Sequence, residues 1–346
     1  MTIYKRIIFV FVFLFSFSLL QAEHEEHGQH EEKGFDPGKV LIEHVADNHE
    51  WHIFSYHGEH YSIPLPVILY GENGLEIFSS SHFAHGHSYN GYKIEGGLVV
   101  REDGGKAPFD FSITKNVAQM FISIFLMLWL FLSVAKAYKK RSNQAPKGVQ
   151  SFIEPIVVFI RDDVARGSID EKHVDKFLPY LLTLFFFILF NNVLGLIPMF
   201  PGGANVTGNL AVTGVMAIFT FFITSIHANK NYWVHIINTP GVPWWLKFPI
   251  PLMPLVEIIG MFTKPFSLMI RLFANITAGH LIILGFVSLI LLFGVESTGV
   301  GFGIAIPSTL FMVFMGLLEF LVAFIQAFIF TLLSAVYFGM ATEEHH

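Results

Sequence analysis

The sequence predicts an all-α polytopic membrane protein. Five transmembrane helices are joined by one amphipathic helix at the cytoplasmic interface and preceded by a small exported N-terminal domain with short β-strands. Composition predicts the membrane: 53% of the 346 residues are hydrophobic and 14% are charged, whereas an ordinary soluble domain is about 25% charged. Mean hydropathy is +0.56. Distribution predicts the architecture, because charge crowds into an N-terminal arm and a cytoplasmic edge and leaves long apolar runs almost bare. A globule facing water could not cover so much apolar surface, which excludes a soluble enzyme, a disordered chain and a nucleic-acid binder. The formal net charge of −6 argues against an acidic polymer as partner. The chain contains no cysteine, hence no disulfide, thiol nucleophile or Cys metal site.

Residues 1–22 read as a signal peptide. Lys5 and Arg6 precede an apolar run from Ile7 to Leu20, and small or polar residues continue to Ala22. The run is shorter than the roughly 20 residues a spanning helix needs, and even an uncleaved span would leave residues 23–112 exported. That exported segment opens with His24, His27 and His30 among Glu23, Glu25, Glu26, Glu31 and Glu32. These spacings match no closed zinc geometry, so the tract reads as a solvated arm and no metal site is assigned. Beyond it, Ile63–Tyr70, Leu75–Phe78 and Lys93–Val100 alternate with Gly, Asn and Pro and predict short strands with nothing catalytic among them.

The first transmembrane helix (113–141) centres on Val117–Ala135. Lys136, Lys139, Lys140, Arg141 and Lys147 come directly after it, which puts that end in the cytoplasm by the positive-inside rule. Within 142–174, Phe152–Ile169 mixes Phe152, Ile153, Ile156, Val157 and Ile160 with Glu154, Arg161, Asp162, Asp163 and Arg166. That is the pattern of a helix lying in the interface. A transmembrane hairpin and cytoplasmic loop (175–248) come next. Leu178–Leu196 spans outward, Pro198–Gly208 turns outside without Lys or Arg, and Val212–Ile226 returns. His227–Lys247 then carries Lys230 and Lys247 with Trp233, Trp244 and Trp245 as interface anchors.

The last region, 249–346, holds two long apolar stretches, Pro249–Leu292 and Gly303–Met340, linked outside by Gly294–Gly303. A helix of about 37 residues is about 55 Å long, against a hydrocarbon core of about 30 Å. Such helices must tilt strongly or lie partly in the membrane plane. The N-terminus is therefore outside and the C-terminus, ending Glu343-Glu344-His345-His346, is cytoplasmic.

Against this background a few polar residues stand out. From Leu178 onward the only Lys and Arg are Lys230, Lys247, Lys264 and Arg271. Arg at mid-membrane costs roughly 2.5–3.5 kcal/mol on insertion scales, so Arg271 inside Phe266–Leu284 is retained for a reason. Glu257, Lys264 and Arg271 recur at sevens and Asn275 comes four later, one polar stripe of a helix. Glu319, Gln326 and Tyr337 form a second stripe on the last helix. His280 lies half a turn round from Arg271 and faces a different environment, with Glu319 as its candidate partner. Ala274 and Ala278 make a small-xxx-small pair beside Gly279, allowing close helix approach. Plainer readings exist: Glu257 can reach the interface, Lys264 can snorkel, and Gln326 and Asn275 can be interhelical glue. Asn191 and Asn192, in a charge-free span, suit either glue or a water path.

The run Lys264-Pro-Phe-Ser-Leu-Met-Ile-Arg271-Leu-Phe-Ala-Asn275-Ile-Thr-Ala-Gly279-His280 resembles the signature of subunit a of F-type ATP synthases. Gln326-Ala-Phe-Ile-Phe330, seven residues after Glu319, is similar to that family's last helix. The resemblance covers roughly Asn116–Glu344. It implies a proton-translocating stator with two offset aqueous half-channels beside a rotor ring (subunit c), held by a peripheral stalk (subunit b) and joined through the complex to a soluble F1 ATPase. It implies the inner membrane of a bacterial cell, no cofactor, and a non-catalytic subunit with no active site of its own. Carried over by position, Arg271 matches the essential stator arginine. His280 and Glu319 match the outer half-channel pair, in the reverse order to many bacterial members. Gln326 and Asn275 match polar residues beside the arginine, and Glu257 an acid of the cytoplasmic half-channel. Lys264, Tyr337, Asn191 and Asn192 are supporting residues. The His-rich exported segment is longer than that family's usual N-terminus.

The competing reading is a secondary ion or metal transporter using an intramembrane Arg/Glu/His site. Such a protein usually shows repeated halves with broken helices. Here there is one Arg-bearing long helix without a second copy, and the spans lack a His/Asp ligand cluster.

Overall fold

A computed structural model describes residues 47–56, 59–71, 74–140, 144–197, 200–237, 252–296 and 298–343. The predicted signal peptide, the His/Glu tract, and the loop part with Trp244, Trp245 and Lys247 lie outside these residues. Three small antiparallel sheets come first. β1 (Glu50–Tyr56) pairs with β2 (Glu59–Pro64). β3 (Pro66–Gly71) pairs with β4 (Gly74–Ser79), which leads into a 3-10 turn at Ser80–Gly86. β5 (Tyr92–Glu95) pairs with β6 (Leu98–Arg101), and β7 (Phe109–Asp110) returns to β3.

Alternation sets this domain's core. Val67 and Leu69 of β3 are buried against Phe83, Tyr92 and Val99. Two expected strands divide. Ile63–Tyr70 breaks at Leu65, whose N–H is taken by Ser80 Oγ at 2.9 Å and not by a strand ladder. Lys93–Val100 is a hairpin, because Gly96 (φ 58°) and Gly97 (φ 82°) both adopt positive φ, as a tight hairpin turn requires.

The helical part begins at α1, Lys115–Lys140. α2 is Val149–Phe159, continued by a π-helical turn at Ile160–Ala165 and a last turn at Arg166–Ser168. α3 is Glu171–Gly195, α4 Leu210–His227 and α5 Lys230–Ile237. α6 (Leu252–Glu296) and α7 (Thr298–Thr342) have 45 residues each. Among the described residues, α1, α3, α4, α6 and α7 are long and apolar enough to cross a membrane, so the chain is a multi-pass membrane protein. At 1.5 Å per residue, α6 and α7 are each about 68 Å long, more than twice the hydrocarbon thickness.

Two expectations change here. The amphipathic stretch Phe152–Ile169 is not one regular helix, for its hydrogen bonding slips into the π pattern at Ile160. The Gly294–Gly303 link is almost wholly helical. Glycine makes that possible, since a Cβ at Gly301 would lie 2.7 Å from Gly294 Cα.

The centre of the bundle is α3, whose Leu181, Phe185, Phe186 and Ile188 are fully buried. Phe177 stacks on Phe338 of α7 with ring centroids 4.7 Å apart. Leu268, Leu272 and Ile276, one helical turn apart, turn one side of α6 into the same core. α6 and α7 run antiparallel, as three contacts show: Gly294 with Gly301, Gly279 with Glu319, and Lys264 with Tyr337.

Candidate functional site

Two polar regions lie along the α6–α7 pair. The first surrounds Glu319, which is 5% exposed. Its carboxyl lies against the backbone of α6 at Gly279. A Cβ there would collide with Glu319 Oε1 and lie 2.9 Å from Cδ and 3.1 Å from Cγ, so only glycine leaves room. His280 is the next residue of α6; its side chain lies outside the described residues. One turn beyond Glu319, the Ala323 carbonyl accepts from Asn192 Nδ2 at 3.1 Å, and Asn192 Oδ1 accepts from Thr207 Oγ1 at 2.6 Å. Asn192 is therefore interhelical glue. Its neighbour Asn191 bonds within its own helix, to the Phe187 carbonyl at 2.8 Å.

The α3–α4 connection, expected as a short outer turn, buries Ala204, Asn205 and Thr207. Gln119 of α1, fully buried, holds it by exchanging two hydrogen bonds with the Ala204 backbone at 2.8 and 3.0 Å. Asn205 Nδ2 reaches Thr277 Oγ1 of α6 at 3.5 Å. Buried polar groups require such partners, so this belt ties the ends of α1 and α3 to the middles of α6 and α7 around Glu319. Sequence reasoning missed Gln119, Asn205, Thr207 and Thr277. A glutamine inside an otherwise apolar span was the available signal.

The second region lies towards the start of α6. Lys264 Nζ sits 5.6 Å from the centroid of the Tyr337 ring. Both border a small cavity with Thr220 and Thr224 of α4 and Tyr232 of α5. Burial pushes the Tyr232 hydroxyl pKa up, and the nearby negative charge of Glu257 pushes it further. Glu257 and Lys264 are half-buried. The two stripes read from the sequence thus meet where Lys264 faces Tyr337.

Arg271 itself is exposed, as is Asn275 one turn on. Leu268, Leu272 and Ile276 face the core, and at 3.6 residues per turn position 271 lies about 100° round from the centre of that face, at its edge. Among the described residues no carboxylate stands within ion-pair distance of it. Gln326, by contrast, is 4% exposed. The structure therefore brings Glu319 to Gly279 and Lys264 to Tyr337; Arg271 and Asn275, eight and four residues before Gly279 on α6, are exposed where Glu319 is buried.

A multi-pass bundle with an exposed arginine on a membrane-length helix and a buried carboxylate behind it belongs to the ion-translocating membrane proteins. The profile of the family described as ATP synthase A chain matches residues 117–339, and the chain belongs to that family. A second profile, described as a domain of unknown function, matches residues 40–120. The chain is 48% identical to ATP synthase subunit a 2 of Prosthecochloris aestuarii over 244 residues, 68% of this chain and 70% of the relative. It is 44% identical to ATP synthase subunit a of Chloroherpeton thalassium over 246 residues, 68% and 69% of the two chains. Identity to ATP synthase subunit a of an Anaeromyxobacter species is 39% over 330 residues, 89% of this chain and 71% of the relative. The secondary-transporter reading is not favoured.

Proposed function

We propose that this chain, the proton-translocating stator subunit of an F-type ATP synthase, moves protons through two half-channels that are offset along α6. The carrying observation is the separation of Arg271, exposed, from Glu319, buried against Gly279. The exposed guanidinium meets the rotor ring. A rotor carboxylate facing lipid is protonated, because burial raises its pKa. Beside Arg271, permanently charged, its pKa falls and the proton leaves. The same charge blocks a direct leak between the channels. Each charge that crosses is worth about 2.3 kcal/mol per 100 mV, so several crossings drive one costly bond-forming step elsewhere.

In this reading Glu319 and His280 relay protons from outside. Asn191 Oδ1 and Asn205 Oδ1, buried without a hydrogen-bond partner among the described residues, suit a hydrated route beside them. Gln326 and Asn275 flank the arginine. Glu257, Lys264 and Tyr337 line the cytoplasmic route, which the cavity at Tyr232 supports. The basic residues after α1 favour an exported N-terminus and a cytoplasmic C-terminus in a bacterial inner membrane. Residues 1–22 act as the signal peptide, 23–112 as the exported domain and 142–174 as the interfacial segment. The proposed partners are the subunit c ring, subunit b and the F1 ATPase.

Glu319→Gln tests the outer route. ATP-driven proton uptake into inverted vesicles should fall while the complex still assembles, and uptake at the parental rate would overturn the assignment.

A further inference from the structure

The sheet of β3, β4 and β7 carries a face that no described residue covers. Val67 and Leu69 of β3 point inward, so Ile68 and Tyr70 point outward. The register sets Ile77 opposite Ile68, with Leu75 and Phe109 flanking Tyr70. Phe111 extends the row, its N–H bonded to the Ile68 carbonyl at 2.9 Å. The result is one apolar face of Ile68, Tyr70, Leu75, Ile77, Phe109 and Phe111. Leu75, Ile77, Phe109 and Phe111 are each more than 60% exposed. Contiguous exposed apolar patches mark interaction surfaces.

The attachment of this face to α1 indicates its occupant. The edge strand runs into a membrane span without a slack linker. Ile113 N–H bonds to the Pro66 carbonyl at 3.0 Å, two residues before α1 begins. The mouth of α1 is clamped to the same domain. Lys115 N–H bonds to the Asn48 carbonyl at 2.9 Å, and Asp47 accepts from Asn116 N–H at 3.0 Å and from Thr114 Oγ1 at 2.9 Å. At about 3.3 Å per residue, Phe111 lies within about 13 Å of the first residue of the helix. Phe109, Phe111 and Ile113 share a strand face, so the apolar row continues to the helix. Tyrosine and other amphipathic aromatics favour the headgroup level.

We infer that this sheet face is seated on the lipid bilayer at the N-terminal end of α1, as an interfacial anchor. The inference rests on α1 spanning the bilayer and not on the proton path, so each can fail without the other. The chain contains no cysteine, so a single introduced one carries a fluorophore cleanly. Ile77→Cys and Phe109→Cys, each labelled with an environment-sensitive dye, are compared with Glu102→Cys, an exposed position off the patch. The full chain is reconstituted in phosphatidylcholine–phosphatidylglycerol vesicles. Dyes at 77 and 109 should emit blue-shifted light, lose most of it to nitroxide-bearing lipid, and resist aqueous iodide, with the opposite at 102. Iodide quenching at 77 and 109 equal to that at 102 would overturn the inference. So would shielding from both quenchers, which would mean that protein covers the face.

Discussion

The contact between Gly279 and Glu319 gives a sharp test of the buried acid's role. In Gly279→Ala the new methyl would lie 2.9 Å from Glu319 Cδ and 3.1 Å from Cγ and would overlap Oε1. Real contacts of that kind essentially never fall below 3.0 Å, so the carboxyl must retreat. It is 5% exposed, so a retreat shifts it from its working position. Overpacking of this kind costs about 1–3 kcal/mol, against which alanine gains about 1 kcal/mol in helix propensity. A net penalty centred at about 1 kcal/mol, where it falls on the working position of Glu319, is about fivefold in rate. ATP-driven quenching of a pH-sensitive acridine dye in inverted vesicles should therefore slow about fivefold. Gly285→Ala is the control, because a Cβ there meets nothing within 4 Å and the propensity gain is the same. Combining Gly279→Ala with Glu319→Asp, one methylene shorter, should recover part of the loss. Equal pumping by Gly279→Ala and Gly285→Ala would refute the claim that the position of Glu319 matters.

The same contacts set other outcomes. Asn192→Leu removes the bonds to Thr207 and Ala323 and strands the buried Thr207 hydroxyl, at about 1–3 kcal/mol; thermal inactivation of pumping should begin at lower temperature. Gln119→Leu frees the Ala204 backbone and should expose the α3–α4 connection to protease, with wild-type resistance as the contrary result. In the N-terminal β-sheet domain, burial would raise the Asp110 carboxyl. Hydrogen bonds from His49 and Ser112, with the His49 charge, outweigh burial and hold it at about 2, below its ordinary 3.8. A depressed carboxylate contributes stability above its unfolded pKa and loses it as pH falls through the folded one. Pepsin cleavage within residues 50–110 should therefore rise between about pH 4 and pH 2, beyond the protease's own pH profile. With the side chain 28% exposed the effect is about 1 kcal/mol after solvent screening, and Asp110→Asn should remove it.

Much of this was legible in the sequence for simple reasons. Spans declare themselves by length and hydropathy, which is why α1, α3, α4, α6 and α7 match the expected runs. Arg271 and Glu319 declare themselves because a charge among apolar residues is costly to retain. Helical spacing also places Arg271 and His280 half a turn apart on α6. The polar belt was not legible. Gln119 meets Ala204 across 85 residues and Asn192 meets Ala323 across 131, and periodicity carries no information about such pairs. The burial of Asn205 and Thr207 was not legible, because a short outer turn rich in Gly, Asn and Thr shows no partner in the sequence. The hairpin at Gly96 and Gly97 was readable, since paired glycines between apolar runs are a turn signal. The π-helical turn at Ile160 had no sequence signal that spacing could reveal.

The central claim is that Arg271, exposed on α6, is the charge that couples the rotor to proton flow. Its most direct test is ATP-driven proton pumping by the complex carrying Arg271→Ala, in inverted vesicles, with ATP hydrolysis and assembly measured alongside. The account predicts an assembled complex that pumps no protons. Coupled pumping retained by Arg271→Ala would contradict it.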